Sequence, residues 1–180
     1  MLKAASREIA HKNDAGLVAV GLADSEALRR AYRRMEARLR ELDLSADHTQ
    51  VLLQPMLSSR AEIIIGTTLE APLGHFLIVG LGGIHAELID SVLLLPAPIA
   101  RDDIRRRISG AKLGALIARL ESPARSTGSI LDDLVDALEA LQALIGSCGD
   151  LIKSIDVNPL LIGDARCAAV DALIVLNEPN

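Results

Sequence analysis

Aromatic residues are almost missing from this chain: Tyr32 and Phe76 stand alone, and there is no tryptophan. Proteins that hold single-stranded nucleic acid stack its bases on aromatic rings, and no such platform is available here. An excess of positive charge is missing too, because 19 Lys and Arg face 24 Asp and Glu for a net charge of −5. That argues against a broad surface for a phosphate backbone. Cysteine is scarce, and Cys148 and Cys167 have neither the spacing of metal ligands nor the density of a disulfide framework. Long apolar runs are also lacking. The most apolar stretch, 91–100, is broken by Pro96 and Pro98 and is too short to span a bilayer. No N-terminal signal peptide is visible, so the expectation is a cytoplasmic protein with neither a membrane nor a nucleic-acid partner.

What the chain does have is aliphatic bulk. Half of its 180 residues are hydrophobic, chiefly Leu, Ala and Ile. A chain of this length can bury roughly 70% of its unfolded surface in one domain. The clearest helix is "ADSEALRRAYRRMEARLREL", where Leu28, Ala31, Met35, Leu39 and Leu42 share one face. Asp24 is its natural N-cap, and Arg29, Arg30, Arg33 and Arg40 form a charged outer face best read as solvated. From Gln50 the pattern turns to strands in "QVLLQPML", "AEIIIGTTL" and "HFLIVGLGG". Short helices are expected over 101–108 and 112–120. A longer one is capped by Ser129 with Asp132 in a capping box, and its stripe is Leu131, Leu134, Leu138, Leu141 and Ile145. The fold class expected is α+β, a mixed and mainly antiparallel sheet flanked by helices.

The chain closes on "SIDVNPLLIGDARCAAVDAL", an apolar hairpin with acids in it. Strand side chains alternate, so Asp156 and Asn158 share the face opposite to Ile155 and Val157. A four-residue loop from Gly163 to Arg166 sets Ile162 opposite Cys167, and counting outward sets Asn158 opposite Asp171. Directly opposed side chains have Cβ atoms about 5 Å apart. Asn158, Asp171 and Asp156 then offer hard oxygen donors of the kind Mg²⁺ takes, with no His or Cys to suit Zn²⁺. A plain polar cross-strand cluster is the alternative. "GLGGIHAE" could cradle phosphate through its glycines, but it lacks the spacing of a dinucleotide fingerprint.

Seven stretches in order carry a resemblance: "LKAASREIAHKNDAG", "GLADSEALRRAYRRM", "VLLQPML", "AEIIIGTT", "LIVGLGGIHAEL", "LLPAPIARDDIRRRI" and "IDVNPLLI…AAVDALI". Together they resemble the ATP-grasp portion of the nucleoside-diphosphate-forming acyl-CoA synthetases, relatives of the succinyl-CoA synthetase β subunit. The resemblance implies an ADP-forming acid–thiol ligase that uses ATP and Mg²⁺, with CoA held in a partner domain. It implies a Lys3 contact to nucleotide phosphates, Gln54, Pro55 and Met56 along the adenine edge, and Glu62 at the nucleotide site. Gly82, Gly83 and Glu87 would form part of the wall. Asn158 and Asp171 would be the magnesium ligands, with Asp156 as an acidic helper. His11 in "HKNDAG" would carry a phosphoryl group, a task suited to an imidazole that is nucleophilic near neutral pH.

The same resemblance implies that residues 1–45 are the remnant of a small ATP-grasp subdomain, truncated at its N-terminus, and that 46–180 are the large one. Partners would be ATP and the CoA-binding and ligase domains or subunit, with a homo-oligomer also open. The sequence departs from the family pattern where arginines are expected, at Leu95 and Leu173, and guanidinium forks commonly hold phosphates. A degenerate, non-catalytic module that senses nucleotide or serves assembly is therefore the alternative, and the isolated chain is expected to be inactive by itself.

Overall fold

Alternation along β1 (Leu2–Ser6) decides the architecture of the first part of the chain. Leu2 and Ala4 point to one face and Lys3 to the other. The computed structural model describes residues 1–6, 15–43, 49–83, 92–121, 128–164 and 166–177. They fall into two compact units, Met1–Leu57 and Ser58–Asn180. The division lies later than position 45 because β3 (Thr49–Leu53) pairs antiparallel with β1 and so belongs to the first unit. β2 (Val18–Ala19) pairs on the other side of β1, for a sheet order β2-β1-β3. Helix α1 (Ser25–Glu41) covers one face, and its Ala31 and Met35 pack with Leu2, Ala4 and Leu17. The Asp24 carboxylate accepts from the Ala27 amide at 2.7 Å, the expected cap.

The second unit holds a six-stranded sheet. Its order is β6 (Leu93–Pro96), β5 (Gly74–Leu81), β4 (Ala61–Glu70), β7 (Ile152–Ile162) and β8 (Cys167–Ala169), with β9 (Ala172–Leu176) also on β7. Every described strand pairing is antiparallel. Three helices, α2 (Arg101–Ser109), α3 (Lys112–Leu120) and α4 (Ile130–Cys148), pack on one face of the sheet. Ile63, Ile65, Leu77, Val79, Ile155 and Val157 from the strands meet Ile104, Ile108, Leu134 and Leu138 from the helices in the larger core. Helix α4 opens with the Ser129–Asp132 capping box and passes at Gly149 into a 3₁₀ turn, Gly149–Leu151.

Polar contacts fix the helices to one another and to the sheet. Arg101 pairs with Asp136 at 2.6 Å and also with Glu139, and Arg105 pairs with Asp132, so α2 is held along α4. Asp136 first and Glu139 second push the Arg101 pKa up. The Cys167 amide donates to Asp133 at 2.9 Å and ties β8 to α4. The proline-broken run forms strand β6 despite Pro96, because it lies at the sheet edge where a missing N–H is tolerated. No helix among the described residues is long and apolar enough to cross a membrane.

Candidate functional site

The helices cover one sheet face, so the residues of opposite parity define the other. On β4 these are Glu62, Ile64 and Gly66, on β5 Gly80 and then Gly82 just past its end, and on β7 Asp156 and Asn158. This face mixes acids and glycines with apolar residues such as Ile64, Phe76 and Ile78, whereas the described acids are missing from the covered face of these strands. Of the expected candidates of the second unit, Glu62, Gly82, Asp156 and Asn158 thereby lie on one side.

The terminal hairpin has the expected register. Ile162 pairs with Cys167, and the Gly163 amide donates to the Arg166 carbonyl at 3.2 Å across the turn. Further along, Asp156 pairs with Leu173 and Val157 with Ala172. Between these segments the Asn158 amide donates to the Asp171 carbonyl at 3.3 Å, so the two candidate ligands face each other. Asp156 and Asn158 are exposed and Asp171 is half-buried. Among the described residues no group of three or more His, Cys, Asp or Glu forms a metal cage. Two carboxylates and one amide oxygen nevertheless fit Mg²⁺, which completes its shell with water and substrate phosphates.

Strand β7 also carries an irregularity that its alternating pattern does not show. Ile63 pairs with Leu160 but Ile65 pairs with Val157, so Asn158 and Pro159 together oppose Ile64. That is a β-bulge, a device that re-aims side chains and increases local twist. Asn158 is thus presented from a bulge rather than from a regular strand. The only outward signal was the proline that follows it.

Glu62 and the glycine turn are also brought together. The Gly82 amide donates to the Glu62 carbonyl at 2.8 Å. A Cβ placed on Gly83, which has φ +75°, would lie 3.3 Å from Glu62 Oε2. The turn therefore lets a carboxylate lie against bare backbone. Glu87 and His11 lie outside the described residues.

In the first unit, Lys3 is only 7% exposed, on the face away from α1 and opposite Leu52 and Val18. The Gln54 amide donates to the Met1 carbonyl at 2.9 Å, and the Gln54 carbonyl accepts from the chain's amino terminus at 2.9 Å. With those groups engaged and Pro55 lacking an N–H, Met56 supplies the remaining backbone donor of the segment. The Gln54 Oε1 atom is buried without a partner among the described residues. An open cavity of about 610 Å³, lined by Leu22, Leu28, Leu53, Gln54, Pro55 and Met56 among others, adjoins this segment.

The two positions where arginine was expected behave differently. Leu95 is 1% exposed and pairs with Leu77 in the core, so that position serves packing. Leu173 is 46% exposed and lies across from Asp156 on the acid-bearing face.

Known proteins match this arrangement over nearly the whole chain. The model of the ATP-grasp domain family matches residues 1–176. The β subunit of acetate–CoA ligase [ADP-forming] II from Pyrococcus furiosus is 32% identical over 180 residues, covering 97% of this chain and 74% of that protein. The crystal structure of PH1788 from Pyrococcus horikoshii superposes with a TM-score of 0.85 at 30% identity, covering 99% of this chain and 74% of that one. Acetyl-coenzyme A synthetase 1 of Candidatus Korarchaeum cryptofilum superposes with a TM-score of 0.72 at 28% identity, covering 98% and 76%. That structure holds coenzyme A and Mg-AMPPCP, with its phosphohistidine segment pointing towards the nucleotide site. A family match of this extent, with relatives of this similarity and the same strand framework, places the chain in the ATP-grasp family of ADP-forming acyl-CoA ligases.

Proposed function

We propose that this chain is the nucleotide-handling part of an ADP-forming acyl-CoA ligase. The observation that carries the reading is the cross-strand group of Asn158, Asp171 and Asp156 on the sheet face opposite helices α2, α3 and α4. We read unit Met1–Leu57 as containing the small ATP-grasp subdomain and unit Ser58–Asn180 as the large one. Asn158 and Asp171 would hold Mg²⁺, with Asp156 beside them. Bound there, the cation would neutralise charge developing on the transferred phosphoryl group.

The remaining roles belong to the chain's own groups. The buried Lys3 ammonium supplies a fixed positive charge for phosphate, strongest where water is excluded. The Met56 amide and the apolar residues near it suit the edge of a base. Glu62, lying against Gly82 and Gly83, forms part of the wall. His11 takes the phosphoryl group from ATP: a bond forms from imidazole nitrogen to the γ-phosphorus, the bridging bond to ADP breaks, and ADP leaves. The group then passes to a partner domain or subunit that holds CoA and the acyl substrate.

The test is incubation of the full chain and its CoA-binding partner with γ-labelled ATP and Mg²⁺. The expected result is an acid-labile protein label that the His11→Asn variant lacks. A label unchanged by that substitution, or no label in the wild type, would overturn the relay.

A further inference from the structure

We propose that Gly66 is a positioning residue for the cation ligands on β7, an inference that rests on reading Asp156, Asn158 and Asp171 as those ligands. Gly66 pairs with Asp156 across the β4–β7 ladder, one pair (Ile65–Val157) away from the bulge at Asn158 and Pro159. A Cβ on Gly66 would lie 2.3 Å from the Ile155 carbonyl oxygen and 3.5 Å from the Asp156 Cα. Both are backbone atoms, so no rotamer change relieves the overlap. The strand itself must move, by roughly 1 Å, to restore a carbon–oxygen contact of about 3.3 Å.

The strand that would move carries two of the three ligands. On one side of Gly66, Ile65 pairs with Val157, and on the other, Thr67 pairs with Ile155; both pairs face the helix-covered core. Packing holds those side chains, so the displacement falls on the Ile155–Asp156 backbone, with the bulge two residues further along the same strand. A bulge is already the softest point of a ladder, because its extra residue lacks a pairing partner. The bare backbone at Gly66 lets β7 approach closely enough to set Asp156 and Asn158 toward Asp171. Supporting residues outside the ligand set commonly change metal affinity by about 10- to 100-fold.

Gly80 is the natural control. It lies on the same face, but a Cβ there would meet Val92, at 3.0 Å from its Cγ2 atom, rather than the ligand-bearing strand.

The test is calorimetric titration of the full chain with Mn²⁺–AMPPCP, alongside the thermal unfolding transition of each variant. Gly66→Ala is expected to keep a cooperative transition and lose at least tenfold in affinity. Adding Asp156→Glu, whose longer side chain reaches further, should restore part of that loss, and Gly80→Ala should stay within about twofold of wild type. The proposal is overturned if Gly66→Ala binds like wild type, if it no longer folds, or if Gly80→Ala loses as much. Asp171→Asn distinguishes this from failure of the underlying reading: if it binds the cation complex as tightly as wild type, the ligand assignment itself falls.

Discussion

Asn158 and Asp171 meet because a four-residue turn and a period of two leave the register little freedom. That much could be counted from the residues. The bulge could not be, since it arises from the pairing of β7 with β4, strands separated by three helices in the chain. The consequence is specific: Asp171→Asn and Asn158→Ala should each lower divalent-cation affinity at least tenfold, measured by Mn²⁺ binding. Their thermal stability should change little, because Asn158 is exposed and Asp171 half-buried. Leu95 teaches the complementary lesson. Its position in a motif suggested a missing site arginine, whereas alternation along β6 sends its side chain into the core. Leu95→Arg should therefore unfold the second unit rather than improve phosphate binding, as a shift of the denaturant midpoint would record.

Helices were legible because their signals are local. The Asp24 cap, the Ser129 capping box and the stripe of α4 all stand where spacing and capping chemistry placed them. Removing the box with Ser129→Ala should cost about 1 kcal/mol. Leu138→Ala, in the middle of the same helix and fully buried, should cost about 2–5 kcal/mol. Chemical denaturation of the two variants would check both the order and the size of the effects. Strand β6 was less legible, because two prolines obscure a short edge strand that draws its pairing from β5. β9 shows the same dependence: its residues are exposed, and its place follows from the ladder to β7 rather than from burial.

At the scale of the molecule, the two units differ greatly in what they bury. The first relies on Leu2, Ala4, Leu17, Ala31 and Met35 around one helix and three strands. The second packs three helices on a six-stranded sheet. A core as small as the first is marginal at that chain length. Expressed separately, Ser58–Asn180 should unfold cooperatively, while Met1–Leu57 should not. Their boundary could not be read from composition, because β3 looks like the beginning of the strand-rich region and pairs back to β1. The candidate groups are distributed accordingly: Lys3 and Gln54–Met56 on the first unit, the acids and glycine turn on the second.

The proposed function requires that the chain hold nucleotide through a divalent cation at Asn158 and Asp171. Its most direct measurement is calorimetric titration of the full chain with ATP, with and without Mg²⁺, for wild type and Asp171→Asn. Binding should require Mg²⁺ and weaken at least tenfold in the variant. Binding indifferent to both the cation and Asp171, or no binding at all, would rule out this cation site.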